Sequence, residues 1–337
     1  MRVLLPLSLV LGAAALAACG SDEVSSNPVA PELNQAAARR NLPVLSSASL
    51  APGLKPGLPG VAEHFQITLR FINTPTADQR AQFETAARRW QSLIVGDVVA
   101  TEGSIPANGC GPGFPLPAFN GVIDDIMINV LLQPIDGPGG VLGAAGACFV
   151  RTNDGLPVYG LMFFDTEDLA FLEGLSLLDE VIVHEMGHVL GFSGGIFNLN
   201  IPGVFQRNLL ADPNTVDPRF LGRRARAMYT AMGGKGTVPI EGLPYGPGTA
   251  NSHWDEDTFF NELMTGFLNT TSSNFINPMS RMTAAAMGDL GYKTVPLGEP
   301  YELPAPTLTA QGSGRAPGEG INIAAQEVLI EPLMRIE

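Results

Sequence analysis

Val181-Ile-Val-His-Glu-Met-Gly-His-Val-Leu-Gly191 is the stretch on which the reading of this chain depends. In a helix, side chains four residues apart stand one turn apart on the same face, so His184 and His188 can reach a single ion. Glu185, beside that line, can accept a proton from a water activated there. The flanking Val181, Ile182, Val183, Val189 and Leu190 bury most of the helix. Two imidazoles and an acid placed in such a helix need compensation, which a divalent ion with a third ligand supplies. Gly191 is the residue type that ends a helix in the left-handed conformation and lets the chain turn sharply. Upstream, Ser176-x-x-Asp179 reads as a capping-box-like start.

Toward the N-terminus, the alternation Phe65-Gln-Ile-Thr-Leu-Arg-Phe71 predicts a half-buried strand. Thr74-Pro75 then opens a helix to Val95, with Phe83, Ala87, Trp90 and Ile94 on one buried face. Further strands are expected over 122–132, 148–151 and 159–164. Beyond the motif, 192–247 is Gly/Pro-rich and irregular, with one short helix over 219–232. After Val295 the chain is again Pro/Gly-rich, and 325–330 alternates either as a last strand or as part of a tail. Strand, helix, strands and a second long helix make an α+β or α/β domain.

With 45% hydrophobic and 15% charged residues over 337 positions, the chain can bury a sizeable core. Nineteen Lys and Arg against 33 Asp and Glu give a net charge of −14. No basic run is present, which excludes the electrostatic footprint of nucleic-acid binding. Residues 1–18 have Arg2, an apolar run and small residues up to Leu16-Ala-Ala-Cys19, the layout of an export signal. Leu-Ala-Ala-Cys resembles the lipobox of bacterial lipoproteins. That resemblance implies lipidation of Cys19, contact with the membrane through the N-terminal lipid only, and a place in the cell envelope. Gly20 and Ser21 point to the outer rather than the inner membrane, and ordinary secretion is the alternative. Residues 19–62 read as a Pro/Ala/Ser/Gly-rich tether. With Cys19 lipidated, Cys110 and Cys148 remain as a disulfide pair in an oxidising compartment.

A third metal ligand has to come from outside the helix. The compact pattern H-E-x-x-H-x-x-G-x-x-H is absent, because residue 194 is Gly. His64, His253 and the carboxylates Asp255, Glu256, Asp257 and Glu262 are the candidates. His184-Glu-Met-Gly-His-Val-Leu-Gly-Phe192, a long insertion, His253-Trp254, Glu262-Leu-Met-Thr-Gly266, Ser280-x-Met-Thr283 and Gly288-Asp-Leu-Gly-Tyr292 together resemble the leishmanolysin family of metzincin zinc peptidases. The resemblance implies that His184, His188 and His253 hold one catalytic zinc, that Glu185 is the general base, and that Met264 forms the apolar turn beneath the metal.

It also implies hydrolysis of peptide bonds in a protein or peptide substrate. The fold would be α+β and metzincin-like, a twisted mixed sheet with an active-site helix and an irregular C-terminal subdomain. On that reading 63–295 is the catalytic domain, with an upper part over 63–192 and a lower part over 193–295, and 296–337 is a tail with room for one strand. The stretch 159–164 reads either as the edge strand that would pair with substrate or as a core strand. Thiol-based latency is not expected, since the only cysteine ahead of the domain is Cys19. Structural calcium has no supporting motif, and oligomeric state is not legible. A non-catalytic binding protein of the same fold and a zinc hydrolase of non-peptide substrates are the competing functions.

Overall fold

The computed structural model describes residues 64–245, 249–269, 277–295, 297–304, 320–332 and 334–336. The export signal, Cys19 and the tether over 19–62 lie outside the described residues. Strand β1 (Ile67–Phe71) is followed by helix α1 (Ala77–Leu93). A capping box starts α1: Thr76 Oγ1 accepts from the Gln79 N–H at 3.1 Å and Gln79 Oε1 accepts from the Thr76 N–H at 3.0 Å. Next come a hairpin of β2 (Thr101–Ile105) and β3 (Phe119–Ile123), then β4 (Ile126–Gln133), β5 (Gly143–Arg151) and β6 (Pro157–Asp165). The single strand expected over 122–132 is thus two, divided at Asp124-Asp125, where Asp125 takes φ 54° and reverses the local direction.

Helices α2 (Thr166–Gly174) and α3 (Leu178–Val189) follow. The expected capping box at Ser176 is absent. Ser176 sits at φ 53°, Leu177 occupies the cap position, and no side chain caps the helix. Gly191 has φ 106°, the conformation a helix terminator needs.

The main sheet runs β1-β4-β6-β5, with β1, β4 and β6 parallel and β5 antiparallel to β6. Tyr159–Phe164 therefore belongs to an interior strand buried on both faces. That removes the edge-strand reading of 159–164, which lies between β4 and β5. One face of the sheet packs on α1 and α3 through Phe83, Trp90, Val130, Met162, Val181 and Met186. The other face is covered by the loop carrying Cys110, Phe114 and Leu116. Cys110 and Cys148 are joined in a disulfide with Cα atoms 5.0 Å apart, tying that loop to β5.

Beyond Gly191 the elements are short: α4 (Gly194–Phe197), β7 (Asn200–Ile201), β8 (Phe205–Gln206), β9 (Leu210–Ala211), β10 (Arg219–Phe220), α5 (Arg223–Ala231), β11 (Val238–Pro239), α6 (Glu256–Phe259), β12 (Phe267–Asn269) and α7 (Arg281–Leu290). Trp254, Phe259, Met264 and Met287 from this part join the same core as α1 and α3, so no second core separates the two. The tail holds three short strands where the alternation suggested one: β13 (Gly320–Asn322), β14 (Glu327–Ile330) and β15 (Met334–Ile336). β13 pairs with β12, while β14 and β15 pair in parallel with β5.

Candidate metal centre

Helix α3 carries His184 and His188 one turn apart, and both are buried. His253 arrives in the loop before α6, also buried. Each ring is aimed by a backbone carbonyl. His184 Nδ1 lies 2.7 Å from Leu263 O, His188 Nδ1 2.6 Å from Phe192 O, and His253 Nδ1 3.0 Å from Thr249 O. A carbonyl can only accept, so these bonds assign the proton to Nδ1 in each ring and leave Nε2 as a bare acceptor. The Nε2 atoms of His184 and His188 are 3.0 Å apart, and those of His184 and His253 3.2 Å.

Glu327, at the start of β14, completes the group. Its Oε1 is 2.8 Å from His253 Nε2, and its Oε2 is 3.6 Å from His184 Nε2 and 3.8 Å from His188 Nε2. All four side chains are shut off from water, with ligand atoms within 4.8 Å of one another. Neither Glu327 oxygen is aligned in a hydrogen bond. Burial pushes the Glu327 carboxyl up, but the neighbouring imidazoles, His253 first, hold it well below the usual range. Burial likewise pulls His253 down, and Glu327 outweighs it, so the ring is pushed up to about 8. His188 is driven well below its ordinary value by burial.

A proton on His253 Nε2 would satisfy Glu327 but would leave the lone pairs of His184 and His188 facing each other. One divalent cation satisfies all four groups at once. Three nitrogens bonded at zinc distances to a tetrahedral ion stand about 3.3 Å apart, close to the spacing found here. The donor set therefore fits zinc.

Glu185 is buried next to this group, with its carboxyl against that of Glu327. Burial first and the charge of Glu327 second raise its carboxyl well above the usual range. Met264 is fully buried against the helix. A Cβ at Gly187 would lie 2.8 Å from Met264 Sδ and from Trp90 Cζ2, so only glycine lets that turn and α1 close on α3 here. Trp90 Nε1 donates to Val183 O at 2.8 Å, fixing the same contact.

The other candidate ligands lie elsewhere. His64 is exposed. Asp255 caps α6, accepting from the Thr258 N–H at 2.9 Å. Glu256 and Asp257 lie in the first turn of α6, and neither is in the four-residue group. Glu262 is turned away from the centre and organises the loop around Met264. It accepts from the Met264 N–H at 2.7 Å, from the Ser280 N–H at 2.9 Å and from Thr283 Oγ1. Asp97, Asp124 and Asp125 form a separate acidic group. The Asp125 oxygens already accept from the Val98 and Gln66 N–H groups, at 2.6 and 2.8 Å.

Sequence reasoning missed Glu327 as a member of the centre. The one signal was a carboxylate opening an alternating apolar stretch, which by itself reads as a solvated residue at a strand end.

A search of the curated proteins finds no match to the chain. The sequence model of one family, described as leishmanolysin, matches residues 80–300, a span that takes in most of α1, strands β4, β5 and β6 of the main sheet, all three histidines and Met264. With most of its length matched, the chain belongs to the leishmanolysin family of zinc metallopeptidases.

Proposed function

We propose that this protein is a zinc endopeptidase in which His184, His188 and His253 hold the metal and Glu185 is the general base. The observation that carries the proposal is the convergence of three carbonyl-anchored Nε2 atoms beside the buried carboxyl of Glu185. When bound, zinc supplies Lewis-acid polarisation of the scissile carbonyl and acidifies the attacking water. The carbonyl contacts at Leu263, Phe192 and Thr249 hold the rings in one tautomer and orientation. Glu185 takes a proton from the water and passes it to the leaving amine. Its apolar surroundings raise its proton affinity, which suits a group that must both accept and donate near neutral pH. Met264 keeps the floor of the centre dry and packed. A peptide substrate would pair along β5.

Export and anchoring through Cys19 belong to the same proposal. The Cys110–Cys148 disulfide supports an oxidising compartment. Among the described residues no helix is long and apolar enough to cross a membrane.

The test measures bound zinc and hydrolysis of casein or a quenched peptide for the exported protein, beside Glu185→Ala and His253→Ala. One zinc per chain is expected, retained in Glu185→Ala with hydrolysis abolished, and weakened in His253→Ala. Folded protein that binds no zinc would refute the proposal. Zinc binding with hydrolysis of small esters but never of peptides would favour a non-peptide hydrolase.

A further inference from the structure

Residues 320–332 are bound on both sides of the metal centre. On one side β13 pairs with β12, the Ala324 N–H donates to Gly266 O at 3.2 Å, and Thr249 Oγ1 donates to Ala324 O at 3.2 Å. Gly266 and Thr249 flank Met264 and His253 in the chain. On the other side Gln326 O accepts from the Leu142 N–H at 2.7 Å, and β14 pairs with Gly143–Gly146 of β5. A Cβ at Gly146 would stand 2.0 Å from Ile330 O, so glycine is what lets β14 approach this closely. Past β14, Glu331 Oε1 accepts from the Gly195 N–H of α4 at 3.3 Å. Between these attachments Glu327 points at the three histidines.

Two consequences follow. The open edge of β5, where an extended peptide would add as a strand, is already occupied. A zinc ion held by three histidines and Glu327 has four protein ligands, the closed arrangement of a structural site, whereas hydrolysis needs an open position. The tail also lies wholly outside the span that matches the peptidase family, which ends at residue 300.

We propose that residues 320–332 are an inhibitor built into the chain: the strap covers the β5 edge and Glu327 takes the metal position that a water must hold for hydrolysis. This rests on the peptidase reading given above. Activity then requires the strap to be displaced or removed, and a substrate competes with a segment held at high effective concentration by its tether.

The test uses the zinc-loaded exported protein, Glu327→Ala, Glu327→Gln, and a chain ending at residue 319. Two readouts are needed: peptide hydrolysis, and affinity of a peptidyl hydroxamate for the cobalt-substituted protein followed by its visible spectrum. The expected result is a rise in kcat/KM of about tenfold or more in Glu327→Ala and in the shortened chain, with zinc retained and Glu185→Ala/Glu327→Ala inactive. Hydroxamate should bind at least about tenfold more tightly to both, and the cobalt spectrum should change when Glu327 is removed. Glu327→Gln should fall between, since its amide oxygen can still reach the metal while the charge is lost. The point variants keep the question answerable if the shortened chain does not fold.

Equal hydrolysis by the wild type and Glu327→Ala would overturn the strap and leave the peptidase standing. Loss of zinc in Glu327→Ala as severe as in His253→Ala, with no gain in activity or hydroxamate affinity, would also overturn it, by showing a permanent fourth ligand. Inactivity of every variant, with hydroxamate binding improved by Glu327→Ala, would keep the strap and reject the peptidase reading.

Discussion

Above the metal centre, residues 64–192 present two of its histidines from one helix; below it, residues 193–304 present the third from a loop. In the upper part the ring positions follow from helical geometry, and every residue of the helix from Val181 to Val189 is buried. In the lower part the elements average only a few residues, and buried polar hubs take over the work of secondary structure. Glu262 gathers the Met264 N–H, the Ser280 N–H and the Thr283 hydroxyl. Arg207 donates to the carbonyls of Leu290 at 2.6 Å, Asp154 at 2.7 Å, Ile196 at 3.2 Å and Gly155 at 3.3 Å. Regular structure satisfies its own backbone groups, whereas irregular chain must be satisfied by side chains buried for that purpose. The lower part should therefore depend more on single residues and on the metal.

Zinc removal is the largest test of that contrast. With the proposed ligands, two from one helix and one from the loop, the ion would staple the parts together. Saturating zinc at about a thousand times its dissociation constant contributes about 4 kcal/mol. Stripping the metal should lower Tm and raise amide exchange around 249–264 far more than around 181–191, measured by hydrogen exchange. Equal loss in both segments would break the comparison.

Glu262→Ala is expected to come next. It leaves three buried donors without their acceptor, at about 1–3 kcal/mol for each unsatisfied group. A loss of about 3 kcal/mol or more in denaturant unfolding is expected, with zinc affinity falling as the Met264 loop loosens. A change below 1 kcal/mol would show that the loop does not hang on this carboxyl.

Gly187→Ala probes the joint between the parts. The added methyl meets Trp90, held by its bond to Val183, and Met264, so over-packing should cost about 1–3 kcal/mol. Pairing it with Met264→Ala should recover part of that loss if the Met264 side chain is what the methyl strikes.

The smallest effect concerns the upper part alone. Burial raises the Asp125 carboxyl to about 7, with Asp124 and Asp97 adding to it and the Val98 and Gln66 N–H groups opposing it. A raised folded-state value means the protonated form is favoured on folding. That stability is fully present below the unfolded value of about 3.9 and is lost as pH rises through 7. Tm measured from pH 4 to pH 8 should therefore carry a downward contribution that Asp125→Asn removes. An identical pH profile in the variant would place the titration elsewhere.

Much of the upper part could be read from local patterns. The alternation at 65–71, the apolar face of α1 and the i, i+4 histidines are properties of neighbouring residues, and Gly191 ends α3 for a purely local reason. Local patterns failed where two local options were similar in energy. The run over 122–132 is apolar apart from Asp124, Asp125 and Asn129, and the Asp pair is the one local sign of the break, readable equally as a polar interruption of a single strand. Ser176 has a capping side chain, but its positive φ removes it from the cap. The position of 159–164 inside the sheet depends on which strand lies beside it, which no stretch of six residues encodes.

For the centre itself, His184, Glu185 and His188 were legible from spacing alone, because a helix converts sequence interval directly into geometry. His253 and Met264 were legible only through family resemblance, since a loop has no such conversion. Glu327 was not legible at all. Its place among the histidines comes from two strand pairings, β13 with β12 and β14 with β5, that join residues far apart in the chain, and hydrogen bonds of the backbone leave no mark in side-chain order. The amino-acid sequence by itself determined the helix, its histidine-bearing face and the core beneath it, whereas tertiary structure alone decided which strands flank 159–164 and which carboxylate lies among the histidines. The former are set by intervals of four residues or fewer, the latter by strand pairing across 51–55 residues between β12 and β13 and 184 residues between β5 and β14.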